Sequence, residues 1–87
     1  MSDETNLKFP CTYQIKIIGK ADVDLESIVI PIVRKHVPNL GEAAITTKDS
    51  KNSKYLSITV EFTAESKKQL DNLYIEVTSN TNVIMAL

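Results

Sequence analysis

The chain has 87 residues, ten basic against eleven acidic side chains for a formal charge of −1, 43% hydrophobic residues and one cysteine. At this length a single domain is expected, burying roughly 60 to 65% of its unfolded surface and leaving little room for a large internal ligand cavity. One thiol excludes an intramolecular disulfide and a cysteine cluster for zinc or iron–sulfur ligation, so no cofactor or metal is expected; near-neutral charge removes the basic footprint of a general nucleic-acid binder.

The amino terminus, Met1-Ser2-Asp3-Glu4-Thr5-Asn6, is acidic and polar, whereas a secretory signal begins basic and turns apolar. The longest apolar run, Ile28-Val29-Ile30-Pro31-Ile32-Val33, falls far short of the ~20 residues a membrane span requires. A cytoplasmic protein with no membrane association is therefore expected. Residues 1–8 read as a loose tail and residues 9–87 as one domain.

From Cys11 to Ile18 the residue types alternate, with Cys11, Tyr13, Ile15 and Ile17 on one face and Thr12, Gln14 and Lys16 on the other, the period of a half-buried strand. Gly19 ends it, and Asp22 or Asp24 can cap the helix that follows by accepting from its free first-turn N–H groups. Leu25, Ile28, Val29, Ile32, Val33 and Val37 recur at spacings of three and four, predicting a helix over about 24–37 with one apolar stripe. Pro31 lies inside it, removes the bond to the Ser27 carbonyl and predicts a kink. Arg34, Lys35 and His36 occupy the last turn, where positive charge meets the negative end of the helix dipole.

Residues 43–48 read as a weaker strand, joined through Asp49-Ser50-Lys51-Asn52-Ser53 to the clearest alternation in the chain, 54–63, with Leu56, Ile58, Val60 and Phe62 facing one way. Ser66 with Gln69 has the form of a capping box opening a second helix, whose stripe is Leu70, Leu73, Tyr74 and Val77. Residues 83–87 form a last strand with Val83, Met85 and Leu87 on one side. The resulting fold class is α+β, ferredoxin-like βαββαβ: a four-stranded antiparallel sheet of order 4-1-3-2 with both helices on one face.

Laid out in this order the chain resembles the YbeD-like family of small bacterial proteins. The pieces that carry the resemblance are Phe9-Pro10-Cys11, Lys16-Ile17-Ile18-Gly19, Val33-Arg34-Lys35-His36-Val37-Pro38, the 53–60 stretch, Gln69-Leu70-Asp71-Asn72-Leu73-Tyr74 and Val83-Ile84-Met85-Ala86-Leu87. The chain departs from the family pattern where Asn52-Ser53 stands in place of a turn glycine and Ile84 in place of a basic residue. The resemblance implies a ferredoxin-like fold similar to that of ACT regulatory domains. It carries over no catalytic residue.

Candidate chemistry is sparse. Cys11 begins a strand on the core face, where nothing in the sequence lowers its pKa, and reads as structural. His36 is the single imidazole, which excludes a His-dependent triad with a second His or a multi-His metal site, and nothing in the spacing brings it to Cys11. The loop after strand one can hold a carboxylate or phosphate on its backbone N–H groups, making Gly19, Lys20, Ala21 and Asp22 the candidate ligand-binding residues; similar loops hold amino-acid effectors in ACT domains. Asp22 and Asp24 oppose an anion there.

Gln14, Lys16, Tyr55, Ser57, Thr59 and Glu61 should line the sheet face away from the helices, with too few aromatic rings for RNA stacking. Ile30 and Ile75 fall off the helix stripes and are candidate partner contacts, while Arg34, Lys35, Lys67 and Lys68 read as a solvated helix surface. A metallochaperone would need a Cys pair in the first loop and an acylphosphatase-like enzyme an Arg there; both are missing. The expectation is a non-enzymatic, ACT-like regulatory or interaction module. It would act on an unknown protein partner or as a homodimer, with a small-molecule effector at the first loop, or less favourably RNA, as the alternative. The edge of strand two is open to pairing with another sheet.

Overall fold

A computed structural model describes residues 8–41, 44–49 and 54–87. The elements run β1 (Cys11–Lys20), α1 (Leu25–His36), β2 (Ile45–Asp49), β3 (Tyr55–Ala64), α2 (Lys67–Thr78) and β4 (Val83–Ala86). The strands form one sheet of order β2-β3-β1-β4, all neighbours antiparallel. This is the expected βαββαβ arrangement read from the opposite edge.

The sheet is organised by β1 and β3, which pair over ten residues from Cys11↔Ala64 to Lys20↔Tyr55. Alternation then sorts their side chains by face. Ile15 and Ile17 from β1 and Ile58, Val60, Phe62 and Ala64 from β3 are buried in one cluster with Leu25, Val29 and Val33 of α1 and Leu70, Leu73 and Val77 of α2. Thr12, Gln14, Lys16, Glu61 and Thr63 on the other face are exposed. Both helices therefore cover one face of the sheet, and among the described residues the other face carries no helix.

The helix ends follow the local chemistry of the sequence. Asp24 caps α1, its carboxylate accepting from the Ser27 N–H at 3.4 Å and the Ser27 hydroxyl at 2.7 Å. α1 runs unbroken across Pro31, whose ring is exposed. Ser66 caps α2 by accepting from the Gln69 N–H at 3.1 Å. The reciprocal half of the capping box is shifted by one residue, because Gln69 Oε1 accepts from Glu65 N–H at 2.6 Å rather than from the cap itself.

Two sequence expectations change in three dimensions. Val83, Met85 and Leu87 do not share a side: the β1–β4 register shifts between Ile18 and Gly19, so Gly19 faces Val83 while Ile18 faces Met85. The inserted residue leaves Val83 buried and Ala86 packed on the core, three positions apart instead of two, and turns Met85 and Leu87 outward at 45% and 63% exposure. Ile30 is not a free surface residue. It is half-buried against the core, because next to Val29 and one turn before Val33 it widens the apolar stripe of α1. Ile75 is exposed, as expected. The 50–53 turn and the 1–7 tail lie outside the described residues.

Gly19 is fixed by crowding. A Cβ built there would stand 2.5 Å from the Asn82 carbonyl oxygen and 2.8 Å from both methyl carbons of Leu25. Leu25 could give way, but the Asn82 carbonyl already accepts from Lys20 N–H at 3.1 Å and is held by the bulge. Gly19→Ala should therefore lower the unfolding free energy by about 1 to 3 kcal/mol, the usual cost of overpacking. Urea unfolding followed by far-UV circular dichroism measures it, and an unchanged midpoint would show that the bulge yields.

Candidate interaction face

The helix-free face is built from alternate residues of all four strands. β1 contributes Gln14, Lys16 and Ile18, and β3 contributes Tyr55, Ser57 and Thr59, placed by the pairs Lys16↔Thr59, Ile18↔Ser57 and Lys20↔Tyr55. β2 adds Thr46 opposite Thr59 and Lys48 opposite Ser57. At the other flank Met85 faces Ile18, and Leu87 is locked beside Lys16 by two backbone bonds, Lys16 N–H to Leu87 O at 3.0 Å and Leu87 N–H to Lys16 O at 2.8 Å.

These strands enclose an open trough of about 620 Å³, lined also by Asp49 and Leu56. That is within the range of small-molecule and peptide sites, but it is shallow and carries no buried charge. Ser57 and Thr59 are half-buried at its floor, whereas Lys16, Lys48 and Tyr55 stand exposed at its rim.

The first loop adjoins the trough. Gly19 and Lys20 belong to β1, not to a loop, and Gly19 is buried. Lys20 N–H donates to Asn82 O and Ala21 N–H to Lys54 O, both at 3.1 Å, so these two backbone donors already have partners. Asp22 closes a depression of about 370 Å³ with Lys20, Ala21, Lys54 and Tyr55. Of the four candidate ligand residues, the structure thus gathers Lys20, Ala21 and Asp22 at the end of the sheet and keeps Gly19 in the packed interior. Ile30 and Ile75 line neither depression.

His36 and Cys11 engage different parts of the molecule. Cys11 is half-buried against the core, and His36 Nε2 lies 2.7 Å from Glu76 Oε1 of α2. Lys35 Nζ reaches the other carboxylate oxygen at 3.3 Å, and Gln69 Nε2 donates to the His36 carbonyl at 2.8 Å. The end of α1 is thereby tied to α2 by side chains 33 to 41 residues away. Accepting from His36, and then from Lys35, holds the Glu76 carboxyl below its ordinary range.

Tyr74 of α2 packs edge-on to Tyr13, their hydroxyls 3.1 Å apart, and Tyr13 also meets Phe62. Burial, and then the Tyr13 hydroxyl, raise the Tyr74 phenol above the ordinary range. Both tyrosines act as core residues with polar tips. Among the described residues there is no group of three His, Cys, Asp or Glu side chains that could hold a metal ion. No helix of the described chain is long and apolar enough to cross a membrane.

Sequence reasoning found the β1 and β3 part of the open face but missed Thr46, Lys48, Ile18, Met85 and Leu87. Alternation from half-buried Ile45 places the first two on this face, and the alternation of β1 places Ile18 there. The last two depend on the bulge, which leaves no local pattern.

The family described as "Protein of unknown function (DUF493)" matches residues 4–87. A UPF0250 protein of Chromobacterium violaceum is 35% identical over 89 residues, covering 100% of both chains. One from Buchnera aphidicola is 41% identical over 81 residues, covering 93% of this chain and 91% of the relative. The solution structure of protein HP0495 from H. pylori superposes with a TM-score of 0.72 at 14% identity, over 94% of this chain and 86% of that one, a likeness of fold.

The Glu76 contacts make a pH-dependent prediction. A carboxyl whose folded pKa is lowered stabilises the fold fully above its unfolded pKa, and loses that contribution as pH falls through the folded value. Glu76→Gln should lower the Tm at neutral pH, and the gap to the unmodified chain should close as the pH falls below the ordinary glutamate range. Differential scanning calorimetry from neutral pH down through that range tests this; a gap independent of pH would mean the carboxylate charge contributes nothing.

Proposed function

We propose, from the premise that this chain belongs to the DUF493 family of small bacterial proteins, that it is a non-enzymatic interaction module whose working surface is the helix-free face of the sheet. The observation that carries this reading is the exposure of that face. It presents Tyr55 at 48%, Met85 at 45% and Leu87 at 63% exposure beside a half-buried floor of Ile18, Ser57 and Thr59. Large apolar side chains turned outward from β3 and from the bulged β4 end, around a largely polar floor, suit a contact surface better than a solvated one.

The edge of β2 supports the same reading. Among the described residues it pairs with β3 along one side only, which leaves its other row of N–H and C=O groups to an added strand, with Lys48 the sort of charge that restrains indiscriminate pairing. A partner seated on the open face would reach this edge without disturbing the helices. Modulation of an enzyme by association is the regulatory role consistent with such a module.

Site-specific photocrosslinking in the host cell tests the reading. With p-benzoyl-phenylalanine at Gln14, on the open face, a discrete protein adduct is expected; with the same group at exposed Asn72 of α2 it is not. No adduct at Gln14, or the same adduct from both positions, overturns it.

A further inference from the structure

The open face has a charge that the whole chain does not share. Lys16 and Lys48 line the trough, and Lys20 and Lys54 line the depression at its end. Asp49 and Asp22 are the carboxylates among these lining residues, and Glu61 stands opposite Gln14 farther along the sheet. With Glu61 counted on this face, four of the ten basic side chains but three of the eleven acidic ones gather at it, leaving it one unit positive on a chain of net charge −1.

The lysines here are unlike Lys35 and Lys67 of the helices in how they are paired, although Arg34 and Lys68 have no ion pair among the described residues either. On the helices, Lys35 is bridged to Glu76 and Lys67 to Asp71. Among the described residues, no carboxylate lies within ion-pair distance of Lys16, Lys20, Lys48 or Lys54. Their ammonium groups are compact, strongly hydrated point charges that attract an opposite charge without demanding a fixed geometry.

Resting on the reading of this face as an interaction surface, we propose that its occupant is an acidic segment of a protein partner, with carboxylates set beside Lys16 and Lys48 and an apolar side chain against Ile18 and Tyr55. The charge complementarity selects an acidic partner. The apolar groups of Ile18 and Tyr55 beside it favour a polypeptide over a bare anion, because only a polypeptide offers carboxylates and aliphatic or aromatic side chains within a few residues of one another. A single tyrosine at the rim supplies poor stacking for a nucleic-acid strand.

The test uses the Gln14 photocrosslinker in the full chain with Lys16→Glu and Lys48→Glu combined, and with Lys16→Arg and Lys48→Arg combined. Both positions are exposed, and far-UV circular dichroism verifies that each variant is folded. Charge reversal is expected to cut the adduct by about tenfold or more, the arginine pair to keep it, and added salt to weaken it in the unmodified chain. The crosslinked peptide, read by mass spectrometry, should carry Asp or Glu beside an apolar residue.

An adduct indifferent to charge reversal and salt would overturn the acidic partner while leaving the interaction face standing. A nuclease-sensitive adduct, or one made with a second copy of this chain, would overturn it equally. No adduct at all at Gln14 removes the interaction reading itself, and the acidic partner with it.

Discussion

The ten-pair antiparallel ladder between β1 and β3 is the constraint on which the rest of the molecule depends. Because successive strand residues point to opposite faces, this register commits Ile15, Ile17, Ile58, Val60 and Phe62 to the core and Lys16, Ser57 and Thr59 to the open face in one stroke. A slip of one residue would exchange the two sets, drowning the lysines and exposing the isoleucines. Burial of the first set is worth about 1.5 to 3 kcal/mol for each large side chain, so the register is strongly specified, and the composition of the interaction face follows from it.

The helices contribute by covering one side. Leu25, Val29 and Val33 of α1 and Leu70, Leu73 and Val77 of α2 meet the same sheet face, and the core they complete contains no buried polar or charged residue among those described. Polar chemistry on this side is confined to the periphery, where His36, Lys35 and Gln69 join α1 to α2 and Thr47 meets the Glu26 carboxylate between β2 and α1. These contacts orient the helices against each other and against the edge strand. They leave the opposite face untouched, which is why a partner could engage it without competing with the fold's own packing.

The edges of the sheet are treated differently. β2 is short and mostly exposed, carrying Thr46, Thr47, Lys48 and Asp49, whereas β4 is bent by its bulge and ends in exposed apolar residues. The bulge does two things together. It brings the Asn82 carbonyl so close to Gly19 that a side chain cannot fit, and it rotates Met85 and Leu87 onto the open face beside Ile18 and Lys16. A backbone irregularity at one end of β1 therefore fixes both a packing requirement inside the molecule and the apolar flank of the surface outside it.

What the sequence determined by itself was everything that periodicity can encode. The period-2 stretches around Ile15 and Val60, the three-and-four spacing through Val29 and Leu73, and the caps Asp24 and Ser66 are local signals. They specified the elements, the sheet order and the side on which the helices lie, because apolar faces have few ways of satisfying one another. The tertiary structure decided what depends on residues distant in the chain. It gave His36 the partner Glu76, forty residues away, in addition to the dipole of its own helix, and widened the α1 stripe to take in Ile30. It also gave the backbone donors of Lys20 and Ala21 to Asn82 and Lys54, and brought Lys48 across β3 from Ile18 to complete the trough. Periodicity says which way a side chain points relative to its neighbours in sequence; which groups it then meets is set by register, and register is a property of strands already paired.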